Sequence, residues 1–185
     1  MDFNAIAEKL KSRFSGIDAP KTEAGDPFAI APAADAFALL KVLKEDAEFA
    51  FDSLMCISGA DNGRELWVVY SLHSFQHRHK FTVKVVLGRE QPECDSVVPL
   101  WGAADFFERE VYDLYGVVFR NHPDLRRLLN PPDWEGWPGR KDYVFPAKYH
   151  GVATARQDQY FADTIARVNA EREAAIKAAP ASEKK

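Results

Sequence analysis

Two consecutive runs of alternating residues constrain this chain more than any other feature. Leu66, Val68, Tyr70 and Leu72 put an apolar side chain at every second position, and after a short polar break Phe81, Val83, Val85 and Leu87 do the same. Successive side chains of a strand point to opposite faces, so each run lines one face of an extended segment, and the two together read as a hairpin. Thr82 and Lys84 fall on the other face, so only one side of the sheet meets a core. Upstream, Phe49, Phe51, Met55 and Ile57 share one parity and predict a further strand, followed by turn residues from Gly59 to Gly63.

Helical spacing brackets these strands. Behind Asp2, a good N-cap, Phe3, Ile6, Leu10 and Phe14 recur at three- and four-residue intervals, which predicts an amphipathic helix stopped by Gly16 and Pro20. Phe28 to Ala31 reads as a strand. Pro32 then leads into a second helix with Phe37, Leu40, Leu43 and Ala47 on one face and Lys41, Lys44 and Glu45 off it. A third helical pattern runs from Trp101 to Tyr115, its apolar stripe being Ala103, Phe107, Val111 and Leu114, and Gly116 ends it. Helices before and after a strand meander predict an α+β domain over residues 1–119, a mostly antiparallel sheet covered by helices on one face.

From 120 to 150 the character changes. Pro123, Pro131, Pro132, Pro138 and Pro146 alternate with aromatics and arginines, which predicts an extended arm suited to wrapping another surface. Within it only Asp124 to Leu129 has the look of a short helix. The 151–185 tail reads as partly helical through Phe161, Ile165, Val168 and Ile176, with a frayed end from Ala178.

Composition narrows the function classes. With 46% hydrophobic and 12% aromatic residues the chain buries a sizeable core, and 24 basic against 28 acidic residues argue against bulk attraction to nucleic acid or anionic lipid. Cys56 and Cys94 are the only cysteines, too few for a four-thiolate iron–sulfur cluster, so any such cluster belongs to a partner. No apolar stretch approaches the ~18 residues of a membrane span. The first residues lack a basic segment before an apolar one, and Asp2 and Glu8 are wrong for a transit peptide, so a cytosol-like compartment is expected. Nucleotide-binding glycine loops and nucleophile elbows are missing from the sequence, so spacing nominates no cofactor and no nucleophile.

Three polar groupings remain. Glu108, Arg109, Glu110 and Asp113 crowd the third helix, where Asp105 with Arg109 and Arg109 with Asp113 stand at i,i+4. Spacing alone reads these as surface ion pairs worth about 0.2–0.5 kcal/mol each. His122, before Pro123, reads as a cap or turn residue, and Arg126, Arg127, Arg140 and Lys141 read as salt-bridge partners of Asp124, Asp133, Glu135 and Asp142. His73, His77 and His79 lie near the hairpin turn without a carboxylate or cysteine at ligand spacing, so they read as solvated rather than metal-binding.

These groupings are also where the chain resembles a known family. Glu108-Arg109-Glu110-Val111-Tyr112-Asp113-Leu114-Tyr115-Gly116, then His122-Pro123-Asp124-Leu125-Arg126-Arg127, then Gly136-Trp137-Pro138-Gly139-Arg140-Lys141-Asp142-Tyr143, is similar in order and content to the thirty-kilodalton subunit family of respiratory complex I, the C-type subunits of the proton-pumping NADH-quinone oxidoreductase. The resemblance covers about residues 28–150. Gly139 stands where the family usually has Leu, and Val144-Phe145 separates Tyr143 from Pro146, as in the branch that includes the plastid and cyanobacterial enzyme.

The resemblance implies a non-catalytic subunit of the hydrophilic arm, at the cytoplasmic face of a bacterial cell membrane and peripheral to it. It implies no cofactor on this chain, with FMN and iron–sulfur clusters on partner subunits. The implied partners are the quinone-pocket subunit of the D type and iron–sulfur subunits of the B and I types. Glu108, Arg109, Glu110, Asp113, His122, Pro123, Arg126, Arg127, Trp137, Arg140, Lys141 and Asp142 are then the residues expected to organise or contact them. The equivalent subunit of a ferredoxin-fed enzyme or a membrane-bound hydrogenase fits the same residues. A free-standing acid/base enzyme using Glu108 or Glu110 with His122, and a nucleic-acid binder using the arginines, are the readings of other classes.

Overall fold

The computed structural model describes residues 2–20, 26–154 and Arg167. One compact unit extends through Tyr143 and a second begins at Val144. The stretch read as a single arm, 120–150, is thus divided between them, and the tail expected to be helical, 158–177, lies outside the described residues apart from Arg167.

In the first unit α1 (Phe3–Arg13) starts at Asp2, whose carboxylate accepts the Ala5 N–H at 2.9 Å and so satisfies one of the free donors of the first turn. β1 (Ala29–Pro32) leads into α2 (Ala33–Glu45), and β2 (Ser53–Asp61), β3 (Leu66–Ser74) and β4 (His79–Leu87) follow. The sheet order is β1-β4-β3-β2. The meander β2-β3-β4 is antiparallel as expected, but β1 runs parallel to β4, Ala29 opposite Val83 and Ala31 opposite Val85, so the sheet is mixed. The cause is the connection: α2 and the β2–β3 pair intervene between β1 and β4, a crossover long enough to return the chain in the same direction.

Residues paired across strands share a face. Leu66, Val68, Tyr70 and Leu72 of β3 and Phe81, Val83, Val85 and Leu87 of β4 are all buried, as the alternation requires. β2 departs from its expected parity. A register shift between Leu54 and Cys56 makes Met55 the extra residue, 48% exposed, and turns Leu54 inward, while Ile57 is buried as expected. Gly59 is not in the turn but in the strand, and the ring of Tyr115 occupies the space its Cβ would take, at 2.3 Å. The turn falls later, where Asn62 accepts the N–H groups of Arg64 and Glu65.

α1, α2 and α3 (Ala104–Tyr115) cover the inner face. Phe3 of α1 stacks on Phe81 at 4.9 Å, α2 packs on β4 and β1, and α3 lies on β2 through Tyr115 and Gly59. Before α3 comes β5 (Glu93–Asp95), paired in parallel with β6 (Val118–Arg120) after it, so α3 is the crossover of a short second sheet. The expected stripe of α3 is corrected: Ala103 is exposed and Phe107 and Leu114 are half-buried, whereas Ala104, Glu108, Arg109, Val111 and Asp113 are buried. In the second unit, β7 (Lys148–Tyr149) and β8 (Val152–Ala153) form a two-stranded antiparallel ladder.

Candidate functional site

The polar residues of α3 are not a solvated row of ion pairs. Glu108 is fully buried, with one carboxylate oxygen accepting the Ser96 hydroxyl at 2.6 Å and the other the Val97 N–H at 2.7 Å. Burial pushes its pKa up to about 7 against the pull of those two hydrogen bonds. His122, whose side chain is fully buried, sits over the same helix. Its Nδ1 accepts the Asp124 N–H at 3.0 Å, which leaves the proton on Nε2, and Nε2 donates to the Asp105 carbonyl at 3.2 Å. Nε2 lies 3.6 Å from the Asp105 carboxylate and 3.9 Å from Glu108. Arg109, 6% exposed, reaches the Asp105 carboxylate at 4.0 Å and the Arg126 carbonyl at 3.4 Å.

Asp113 pairs not with Arg109 but with the chain beyond the helix. One oxygen accepts the N–H groups of Leu128, Leu129 and Asn130 at 3.1, 2.6 and 2.7 Å; the other accepts from Arg127 at 2.8 Å and from the Asn130 side-chain amide at 3.0 Å. Burial raises this carboxyl, but the donors of Asn130, Arg127 and Leu129 outweigh it and hold the pKa at about 2. The same bonds explain why the short helix expected over Asp124–Leu129 is not there. N–H groups committed to a carboxylate make no i→i−4 ladder, and the segment is irregular, with a turn at Asp124 and bends at Leu128 and Leu129.

The last turn of α3 carries no basic residue of its own, and arginines from later in the chain supply the charge its carbonyl end attracts. Arg127 donates to the Asp113 carbonyl at 3.0 Å, to Trp134 O at 2.8 Å and to Gly136 O at 2.9 Å, with its guanidinium 4.6 Å from the Trp137 ring centre. Arg140 donates to the Tyr115 carbonyl at 2.7 Å, and Gly139 N–H to the Leu114 carbonyl at 2.8 Å. Gly116, the left-handed cap at φ 69°, has the Trp137 indole where a Cβ would be, at 2.4 Å. Residues 121–143 therefore close around the end of α3.

Four partners in this arrangement lie outside the candidate set read from the sequence: Ser96, Asn130, Asp61 and Arg89. The Asp61 carboxylate is nearly inaccessible, bonded to Arg89 and to the Lys141 N–H at 2.8 Å, and Arg89 also meets Asp142 at 2.7 Å. Burial raises Asp61, yet these donors hold its pKa at about 2. Of the twelve residues expected to organise or contact a neighbour, Glu108, Arg109, Asp113, His122, Arg127, Trp137 and Arg140 are drawn into the wrap itself, while Glu110, Pro123, Arg126, Lys141 and Asp142 are exposed. His79, expected in solvent, is buried against the Phe49 carbonyl at 2.9 Å, and burial lowers its pKa. Among the described residues no group of three His, Cys, Asp or Glu side chains is placed to hold a metal, and no helix is long and apolar enough to cross a membrane.

Fold and site together define an α+β scaffold whose ionisable cluster is used on its own backbone to fix a proline-rich wrap around one helix. Residues 29–149 match the family model for the respiratory-chain NADH dehydrogenase 30 kDa subunit, and the chain belongs to that family. It is 42% identical over 155 residues to the C-type subunit of NADH-quinone oxidoreductase from Chloroherpeton thalassium, covering 82% of this chain and 63% of that one. It is 36% identical over 154 residues to the same subunit from Chlorobium phaeobacteroides, covering 81% and 91%. The chain spans about half to two thirds of the length of several other curated relatives it matches. Among solved structures, a trypsin-resistant fragment of Nqo5 aligns with a TM-score of 0.57 at 30% identity, over 66% of this chain and 98% of the fragment. A chain of the archaeal membrane-bound sulfane sulfur reductase, a respiratory membrane complex, shares the fold with a TM-score of 0.64 at 21% identity, over 78% and 86%.

Proposed function

We propose that this chain is a structural subunit of the hydrophilic arm of a proton-pumping NADH–quinone oxidoreductase. In this reading it supports electron transfer from NADH, through FMN and iron–sulfur clusters held by partner subunits, to quinone, without carrying a reacting group itself. It rests against the subunit that forms the quinone pocket and near the iron–sulfur subunits of the B and I types, peripheral to the cytoplasmic face of a bacterial membrane. The observation that carries the reading is the use made of α3: in a chain of this family, its buried carboxylates meet backbone donors and arginines of the same chain. A rigid wrap of this kind presents Glu110, Pro123, Arg126, Lys141 and Asp142 outward as a preformed contact set, which lowers the ordering cost of association.

The test is to tag the chain in its host, solubilise membranes gently and resolve the complexes on a native gel. Co-migration with a large flavin- and iron–sulfur-containing assembly that oxidises NADH with quinone is the expected result. A large assembly without NADH oxidation would move the chain to a ferredoxin-fed or hydrogenase relative. A small species turning over a substrate by itself would overturn the scaffold reading in favour of a free-standing enzyme.

A further inference from the structure

Among the described residues the helices packed on the four-stranded sheet lie on its inner face, and its outer face carries an apolar patch. The register lays Ala60, Trp67, Val86 and Pro32 in one row across β2, β3, β4 and β1, and in the next row Val69 and Ile30 flank Lys84. The first row has no polar side chain and the second, which Ser58 of β2 completes, sets Lys84 between two apolar residues, whereas the third, Cys56, Ser71 and Thr82, is polar, so the apolar patch lies toward one end of the face. Apart from Ser58, which is exposed, the residues of the first two rows are half-buried.

At the centre stands one charge. The Lys84 ammonium lies 3.3 Å from the centre of the Phe28 ring and 5.1 Å from that of Trp67, and burial alone lowers its pKa. Among the described residues no carboxylate comes within 4.0 Å of it; Glu65, at the rim, accepts the Trp67 indole N–H at 3.4 Å instead. An ammonium withdrawn from water onto aromatic faces is partly compensated by the rings, and a carboxylate brought to its open side would complete the compensation.

We propose that the outer face of the sheet is a docking surface for an acidic, amphipathic segment of a partner polypeptide, which seats an Asp or Glu on Lys84 and covers Trp67, Val69 and Ile30 with apolar side chains. The charge selects the occupant. A second copy of this chain would bring another Lys84 region to the same patch, whereas an acidic segment supplies the missing counter-charge. The inference deepens the scaffold reading, on which it rests, by assigning a contact surface separate from the wrap around α3.

The experiment uses the native assembly purified through a tag on this chain. Carbodiimide joins an amine to a carboxylate in direct contact, so it is expected to give an amide bond between Lys84 Nζ and an Asp or Glu of another polypeptide, read by mass spectrometry of the digest. The bond disappears in Lys84→Arg, which keeps the charge but has no amine. Acylation of Lys84 in the assembly is expected to fall about tenfold below that in the free full-length chain, and Lys84→Glu to weaken retention of the cross-linked polypeptide by about tenfold or more, through like-charge repulsion in a desolvated site. Lys84→Met, which keeps the apolar stem, loses less. Unchanged melting of the purified variants separates this from misfolding.

Equal acylation of Lys84 in the assembly and in the free chain overturns the proposal while leaving the scaffold reading intact. So does a cross-link only to a second copy of this chain, or protection that vanishes on removing phospholipid. A chain that runs alone on native gels overturns both.

Discussion

Asp113 and Arg127 meet at 2.8 Å at the end of α3, and the pair is the point from which the wrap over residues 127–143 is hung. The carboxylate is fully buried and holds three consecutive backbone N–H groups; the guanidinium reaches carbonyls on both sides of it, in the helix and at Trp134 and Gly136. Removing the carboxylate leaves a partly buried guanidinium and three N–H groups without their acceptor. Breaking a buried pair in this way costs about 3–5 kcal/mol. Asp113→Ala is therefore expected to lower the unfolding free energy of the isolated chain, read from urea titration, by that order, and Asp113→Asn by less, since an amide oxygen still accepts. The pair also sets an acid limit. A carboxyl whose pKa falls from 3.8 to about 2 on folding contributes stability that is present above the unfolded value and is lost as pH falls through about 2.

Glu108 predicts the opposite sign. Its folded pKa is raised from 4.5 to about 7, so the folded chain holds this proton more tightly than the unfolded one. The stability it confers is complete below pH 4.5 and lost as pH rises through about 7. Glu108→Gln keeps an acceptor for the Val97 N–H without the titrating charge, and is expected to flatten the decline between about pH 5 and 8 by on the order of 1–3 kcal/mol. Urea unfolding of the two proteins at both pH values checks it. A decline of equal size in the variant would place the titration elsewhere.

Gly116 combines a left-handed backbone with contact to Trp137, the ring 2.4 Å from where a Cβ would stand. Gly116→Ala meets both objections at once, strained φ and a displaced indole, and is expected to cost about 2–4 kcal/mol. The variant separates the wrap from the sheet. Trp137 emission shifts to the red, while backbone amide protection in β3 and β4 is retained below the unfolding midpoint.

How far these features are legible in the sequence depends on the range of the interaction. Alternation at Leu66–Leu72 and Phe81–Leu87 and the spacing of Ile6 and Leu10 are local signals, and the strands and helices they mark are present. Met55 shows the limit of that signal: Phe49, Phe51 and Ile57 are buried at the parity the sequence sets, but the register shift turns Met55 out and Leu54 in. The polar cluster lies beyond it altogether. Spacing places Asp105, Arg109 and Asp113 on one helix face but is silent on what packs there, and the true partners are Val97, eleven residues before Glu108, and Asn130, seventeen after Asp113. Asp61 and Arg89, twenty-eight residues apart, carry no local pattern that would join them. The family motif contains Glu108, Asp113, Arg127 and Arg140, but nothing in its spacing says which distant groups they meet.

Arg126 and Arg127 are adjacent and alike in sequence, yet the structure gives them different work. The Arg127 side chain is 13% exposed and bonded to three carbonyls and a carboxylate, while that of Arg126 is 70% exposed and, among the described residues, paired with Asp124 alone, at 2.8 Å. Arg127→Ala is expected to destabilise the isolated chain by about 2–4 kcal/mol, because the buried Asp113 charge loses its cation. Arg126→Ala is expected to stay within about 0.5 kcal/mol of the parent, since an exposed ion pair contributes little. In the native assembly the order changes. Arg126→Ala then acts through lost contact with the neighbour, seen as reduced co-purification of partner subunits that worsens with added salt while the melting of the isolated chain is unchanged. Full co-purification of Arg126→Ala at all salt concentrations would remove Arg126 from the contact set and leave Glu110, Pro123, Lys141 and Asp142 to form it.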